Sequence, residues 1–255
     1  MEKLQIMVCI MKNKLLTISS FFLIVIVWKV LTLFFSPFVV PKIPSVLQSM
    51  YHIVTEKTLY RMIGITTIRL MIGLLLGIVI GMIVGISMGY NRIVKALFLP
   101  LITLFQTIPP VSWLVLSLVW FGFNGKPAIF IVVTATIPII AINISQGIEC
   151  VDTKLIEMAQ LFRFSVKKKY QSIILPSIIP YFKSALRISM GSAWKIAVMG
   201  EVLTTSDGIG GMIKLARLNI EPENIIAWSI IVVLLFYISD FTIHLLFFRR
   251  EKNHA

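Results

Sequence analysis

The sequence predicts an all-α, polytopic membrane protein with six transmembrane helices, and three observations predict it. The first is composition: 58% of the 255 residues are hydrophobic and only 14% are charged, where a soluble domain carries about a quarter. The mean hydropathy is +0.94. The second is that apolar runs recur at the length a helix needs to cross a bilayer, about 18 residues or more. The runs are continuous and do not alternate, which excludes a membrane β-barrel. The third is that Lys and Arg gather at the ends of these runs, as they do in cytoplasmic loops. The net charge of +13 therefore reads as membrane topology and not as a nucleic-acid partner.

Taken in order, a segment with Lys3, Lys12 and Lys14 precedes a first span over residues 15–36. That run is too long for a cleavable signal, and no small-x-small site follows it, so a retained span is expected. Pro37, Pro41 and Pro44 end it, since proline cannot continue the helical hydrogen-bond ladder. Ser45 with Gln48 forms a capping-box pattern. Val46, Leu47, Met50, Tyr51 and Val54 follow at helical spacing. Two readings stand level here, an amphipathic helix on the outer membrane surface or a mere connector.

A second span covers 64–90 and carries Gly73, Gly77, Gly81, Gly85 and Gly89, every fourth residue. Small residues let helix backbones approach closely in a membrane, so this ridge predicts tight helix packing and no chemistry. The third span, 96–123, is interrupted by Pro109 and Pro110, and the fourth, 127–147, contains Pro138. Such breaks free backbone carbonyls, which are tolerated where they are buried in protein or line a cavity. Pro109 and Pro110 are therefore candidates for a translocation path. A fifth span, 183–204, holds Lys195 and Glu201, which are about 240° apart around a helix. Intramembrane charges face a cavity or a partner, so the two either line a passage or form a structural lock. The last span is 225–248, where Asp240 and His244, one turn apart, read as an interfacial pair.

Between the fourth and fifth spans lies the one long polar stretch, 149–183. It suggests two helical pieces, the first with Leu155, Ile156, Ala159, Leu161 and Phe162 as an apolar side. Such a side buries itself in lipid, with Lys167 to Lys169 meeting anionic headgroups, or in a partner. With six spans, both termini share a side. Outside the spans, fourteen Lys and Arg residues fall on that side and six (Lys42, Lys57, Arg61, Lys126, Lys214 and Arg217) on the other. The excess predicts cytoplasmic termini and a cytoplasmic polar loop.

Catalytic patterns are not expected. Cys9 and Cys150 form no metal or redox pattern, and His52, His244 and His254 have no metal-ligand spacing. Gly122-Phe-Asn-Gly125-Lys126-Pro127 lacks the spacing and the Ser or Thr of a phosphate loop.

Two stretches resemble ABC importer permeases of the binding-protein-dependent transport family. In the polar loop, Glu157, Ala159, Ile173, Leu175 and Pro176 match the family's loop signature, Glu-Ala-Ala, three positions, Gly, nine positions, Ile-x-Leu-Pro. Met158 replaces the first Ala and Arg163 the Gly. A Gly there permits a turn with positive φ, so Arg163 implies either an ordinary backbone or a turn carried elsewhere. In the third span, Pro109, Pro110, Trp113, Trp120, Phe121 and Gly122 resemble the nitrate, sulfonate and taurine branch, with its Pro-Pro-x-x-Trp motif and later Trp-Phe-Gly.

The resemblance implies a type I ABC importer permease-like fold. Residues 1–60 would hold a cytoplasmic segment, the first span and an outer segment; 61–248 would be the permease core and 249–255 a cytoplasmic tail. It also implies a multi-pass protein of the prokaryotic cytoplasmic (inner) membrane, a permease homodimer and an extracytoplasmic solute-binding protein. A separate cytoplasmic ABC ATPase would hold ATP and Mg. The polar loop would be the coupling helix docked on that ATPase through Glu157, Ala159, Arg163, Leu175 and Pro176. Glu157 would start the helix, at the favourable end of its dipole, or pair with a basic group on the ATPase. The competing reading is a membrane scaffold or signalling component that recruits a cytoplasmic partner through the same loop.

Overall fold

The computed structural model describes residues 19–20 and 22–248. The N-terminal segment with Lys3, Cys9, Lys12 and Lys14, the start of the first span, and the tail 249–255 with His254 lie outside the described residues.

The described chain is helical throughout. Helix α1 is Phe22–Phe34. It is followed by α2 (Ile43–Thr55), α3 (Thr58–Tyr90), α4 (Arg92–Thr107), α5 (Pro110–Phe121), α6 (Lys126–Glu149), α7 (Thr153–Leu161), α8 (Val166–Lys169), α9 (Leu175–Thr204), α10 (Gly208–Leu218) and α11 (Pro222–Phe248). The six expected spans correspond to α1, α3, the α4–α5 pair, α6, α9 and α11. By length and composition alone, three helices suffice to cross a membrane: Thr58–Tyr90, Lys126–Glu149 and Pro222–Leu245. The α4–α5 pair, bent by 93°, makes a fourth if it is one span. Helix α9 is long enough at 30 residues, but Lys183, Arg187, Lys195 and Glu201 interrupt its apolar surface. Large side chains such as Leu33, Phe34, Ile93 and Val119 stand exposed. Exposed apolar surface on this scale marks a protein that meets lipid or partner chains.

Helix α6 is the axis of the bundle. It packs most extensively on α3 and next on α9, and Ile131, Val132, Ile140, Ala141 and Ile144 along it are almost fully buried. The α3 contact is made by the glycine ridge. A Cβ at Gly73 would lie 2.8 Å from the Val132 Cβ; at Gly77, 2.6 Å from that of Thr136; at Gly81, 2.8 Å from that of Ile140. At Gly85 it would lie 2.9 Å from the Ile144 Cβ, and at Gly89 2.7 Å from that of Ile148. The five glycines therefore form a groove filled by five β-branched residues, themselves spaced every fourth position along α6. Water is not the solvent at this surface, so van der Waals contact at short range holds the pair together. Valine and isoleucine suit the role because a helix already restricts them to one χ1 rotamer, and Thr136 is held by its hydroxyl, which donates to the Val132 carbonyl at 2.7 Å.

Local boundaries differ from expectation in three places. Ser45 and Gln48 do not form a capping box. The helix begins earlier, at Ile43, and its first turn contains Pro44, with no side-chain cap; the fixed φ of proline suits a first turn. Helix α2 turns Val46 and Ile53 inward and packs on α11 and α3. Second, the fifth span does not begin at 183. The chain is helical from Val166, through a π-helical turn at Tyr170–Ile174, into α9, so the non-helical loop is much shorter than the polar stretch. The wide turn has a cause in Pro176, which has no N–H for the ordinary bond and whose ring crowds the preceding turn. The Leu175 N–H reaches back to the Tyr170 carbonyl instead. Third, Asp240 is not simply paired with His244: Arg187 donates to both its oxygens at 2.8 and 2.9 Å.

Candidate functional site

Three regions carry polar chemistry: the loop after α6, the elbow between α4 and α5, and a buried charge cluster where α3, α9 and α10 meet.

The loop is built on a small apolar base. Val151, Ala159 and Ile173 are buried together, with Ile156 and Phe164 against them. The Ala and Ile of the loop signature thus hold α7 against the start of the α8–α9 helix. Asp152 caps α7, accepting from the Lys154 N–H at 2.8 Å. Glu157 lies in the second turn, not at the start, so the expected helix-dipole role belongs to Asp152. The Glu157 side chain is exposed. The apolar side expected of α7 divides: Ile156 and Ala159 face the base, while Leu155, Leu161 and Phe162 stand out, the last two 82% and 68% exposed. Leu175 and Pro176 are exposed as well.

Arg163 overturns both expectations made for it. The turn sits at this residue, and its φ is 50°. The Phe164 N–H donates to the Ala159 carbonyl at 2.8 Å and the Arg163 N–H to that of Gln160 at 3.0 Å. This pair of bonds is the Schellman closure of a helix, normally made with Gly at the left-handed position. Ile220 does the same after α10, with φ 59° and a Glu221 N–H bond to the Ala216 carbonyl at 2.9 Å. The backbone bonds hold the turn although the side chain opposes it.

At the elbow, Ile108 and Pro109 are both extended, as residues preceding a proline must be, and α5 restarts with Pro110 in its first turn. Helix α5 ends at Gly122, whose φ of 72° requires glycine. A cavity of about 210 Å³ opens on the inner side of the elbow, lined by Gln106, Pro110, Trp113, Thr134, Pro138 and Ser192 among others. The Trp113 ring stacks on Phe105 at 4.8 Å between centroids and meets Phe130 edge-on at 6.4 Å.

In the charge cluster, the Glu201 carboxylate is fully buried. It accepts from the Thr66 hydroxyl at 2.7 Å, from Arg69 at 2.9 Å and from the Gly210 N–H at 3.0 Å. Arg69 donates its other arm to Asp207 at 2.8 Å. The Ile209 N–H donates to Thr66 at 2.8 Å, and the Thr205 hydroxyl also bonds Asp207. Burial opposes ionisation of Asp207, but the hydrogen bonds from Thr205 and Arg69 outweigh it and hold its carboxyl below the usual range. Gly208, with φ 75°, and Gly210 lie directly against Glu201, leaving room for the carboxylate that a side chain would take. Glu201 therefore closes a lock between α3, α9 and α10. Lys195 is separate from it: exposed on α9, it has no bonded partner among the described residues.

Sequence reasoning missed Thr66, Arg69 and Asp207. The signal for Arg69 was an arginine inside a long apolar helix, the same rule that singled out Lys195 and Glu201.

Residues 77–252 match the family described as binding-protein-dependent transport system inner membrane component. A putative ABC transporter permease protein of Methanocaldococcus jannaschii is 32% identical over 235 residues, covering 90% of this chain and 88% of that protein. The taurine transport system permease protein of Escherichia coli is 26% identical over 224 residues, covering 86% and 82%. In structure, the chain superposes on the inward-facing MetNI methionine ABC transporter with a TM-score of 0.56, 19% identity, and coverage of 73% of this chain and 95% of that one. That likeness shows the fold, the one shared by type I ABC importer permeases. Sequence, fold and the glycine-packed helical bundle thus converge, and the chain belongs to the inner membrane components of binding-protein-dependent transport systems, the ABC importer permeases.

Proposed function

We propose that this permease moves a small solute of the nitrate, sulfonate or taurine type across the cytoplasmic membrane, with both termini in the cytoplasm. A separate ATPase, holding ATP and Mg, supplies the energy, and an extracytoplasmic binding protein delivers the solute to a permease homodimer. The taurine permease relative and the proline-tryptophan motif at residues 109–113 support the solute class.

The observation that carries the reading is α7. Its Ala159 is buried against Ile173, so the helix rides on the start of α9, while Glu157, Leu155, Leu161 and Phe162 project from the loop, exposed among the described residues. Buried apolar groups anchor an interface and a charge fixes its register. A force on α7 passes through that base into α9 and on to α6. Alternating access follows: ATP binding closes the ATPase pair, the two α7 helices move together, and the passage turns outward.

The test is the reconstituted complex. Glu157→Ala leaves the permease inserted but weakens ATPase retention and lowers transport, with solute binding by the external protein unchanged. Normal ATPase retention and normal solute-stimulated hydrolysis in that variant overturn the coupling role. A chain that co-purifies with no ATP-hydrolysing subunit is the scaffold of the competing reading. Cys150, exposed at the end of α6, tests orientation: an impermeant thiol reagent labels it only after the cells are opened.

A further inference from the structure

We infer that the cleft between α2 and the start of α11 is the socket on which the extracytoplasmic binding protein docks, taking a Lys or Arg side chain of that protein onto Glu56 and Glu223. The inference rests on the transport reading above and supplies its docking surface. Family membership does not carry it, because α2 precedes the matched residues 77–252.

The first observation is place. Only Glu56 and Lys57 separate α2 from α3, and α10, which leads into α11, is bonded to the start of α3 through Ile209 and Thr66. The cleft therefore lies at the end of α3 away from Gly89. The α7 loop lies at the other end, where Gly89 meets Ile148 at the close of α6. With the termini in the cytoplasm, the cleft is extracytoplasmic.

The second observation is the balance of charge. The cleft holds about 500 Å³, within the range of ligand-binding clefts. Its wall includes Gln48, His52 and Glu56 of α2 and Glu223, Asn224 and Trp228 of α11, but no Lys or Arg. In a chain of net charge +13, two carboxylates thus share one cleft without a Lys or Arg in its wall. Glu223 is half-buried and makes no hydrogen bond or ion pair among the described residues. Glu56 holds the Thr58 hydroxyl alone, at 2.8 Å. Asn224 gives an amide N–H to Glu221 at 2.8 Å, which leaves its carbonyl oxygen as an acceptor. An ammonium or guanidinium, with several N–H donors and a positive charge, complements this set.

The third observation is Trp228, which is 3% exposed. Its indole N–H makes no hydrogen bond among the described residues, yet it is not sealed: the buried side-chain polar atoms without a partner are those of Trp113 and Ser189. The small part of Trp228 that meets solvent therefore includes the N–H, and Trp228 lines the cleft. A donor in an acceptor-rich cleft calls for one acceptor beside the cation. A basic residue of a protein brings both, a charged side chain and its own backbone carbonyl; a free amine brings the charge alone. Leu47, Tyr51 and Val54 stand exposed on the same α2 and add apolar contact area for a protein surface.

The test measures docking of the solute-loaded binding protein of the same transport system on the permease–ATPase complex in nanodiscs. Glu223→Gln and Glu56→Gln each weaken docking about tenfold, the scale of a hydrogen bond to a charged group. Trp228→Phe, which keeps a ring and removes the N–H, weakens it about threefold, the scale of a neutral one. ATPase retention by each variant shows that it is folded. Glu223 in the first turn of α11 also meets the helix dipole, so exchange of charge is the decisive measurement. Glu223→Lys abolishes docking, and one Lys→Glu or Arg→Glu change on the binding protein restores it while weakening docking on wild type, which a merely structural role would not do. Variants that dock as wild type does, or a Glu223→Lys defect that no such change relieves, overturn the socket. Argininamide that binds wild type but not Glu223→Gln, with docking unaffected, makes the cleft a site for a free cation and overturns it too. A binding protein that docks on wild type and variants alike leaves the transport reading standing; one that docks on neither removes that reading and the socket with it.

Discussion

Helix α3 is held in two ways along its length. From Gly73 to Gly89 it has no side chains on its contact face and takes the β-branched residues of α6 into the space they leave. Near its start it does the reverse: Thr66 and Arg69 reach out to Glu201 and α10. The apolar seam depends on distance and is indifferent to charge. The lock depends on charge and on every polar atom being met, because a carboxylate out of water is stable only when paired and hydrogen-bonded. One helix therefore carries a contact that tolerates no added volume and another that tolerates no lost partner.

The largest effect is expected where volume enters the seam. Inserting one methylene into a packed core costs about 1–3 kcal/mol; Gly81→Leu adds a whole side chain against Ile140 and the Ile137 carbonyl, 2.8 and 2.9 Å from even a Cβ. The α3–α6 pair should separate, read as loss of the monodisperse peak in detergent and loss of transport. Normal assembly of Gly81→Leu would mean that the seam is not what holds the helices.

Next comes the lock. Glu201→Ala strands the Arg69 guanidinium with the half-exposed Asp207 and should cost about 3–5 kcal/mol in detergent unfolding. The double change Arg69→Met with Glu201→Leu should recover most of it, since apolar replacement of a whole buried pair is often neutral. A double variant as unstable as the single one would show that Thr66, left without its acceptor, carries the lock.

A smaller effect, with the opposite sign, is expected at the loop. Arg163→Gly relieves a left-handed conformation worth about 1–2 kcal/mol and gives back about 0.4–1 kcal/mol in unfolded-chain entropy. The net gain should be below about 1.5 kcal/mol, seen as slower proteolysis of the 161–166 segment, with ATPase retention unchanged. The smallest effect concerns pH. The Asp207 carboxyl is held below its usual range, so the stability it contributes is complete above its unfolded value of about 3.9 and fades only as pH falls through the lower folded value. Unfolding profiles between pH 5 and 8 should be the same for wild type and Asp207→Asn in slope, though offset.

Much of this was legible in the residues. The glycine ridge announced tight packing, and its mate could have been read beside it, since Val132, Thr136, Ile140, Ile144 and Ile148 repeat with the same period. Glu157, Ala159, Ile173, Leu175 and Pro176 located the loop. Its extent was misjudged because Lys167 to Lys169 made the start of a long helix look like polar linker, and polarity reports solvent, not backbone. The left-handed Arg163 was illegible because two backbone hydrogen bonds decide it. The Ser45 pattern misled because Pro44 had already begun the helix. The 93° elbow needed coordinates: two adjacent prolines fix a break, and packing chooses the angle.

The seam has one more property. Its glycines and their mates both repeat every four residues, so a slide of one helix along the other by four positions, about 6 Å, sets Gly73 against Thr136, Gly77 against Ile140, and so on to an almost identical fit. Like a screw thread, the seam fixes how close the two rods lie and leaves their height degenerate. Thr66 and Arg69 break that degeneracy, for they meet Glu201 at one height only, and α9 in turn abuts α6 where Gly200 lies against Ala128 and Ile131. The side chains of Thr66, Arg69 and Glu201 at one end thereby act as the index mark for a ruler whose own divisions are all alike.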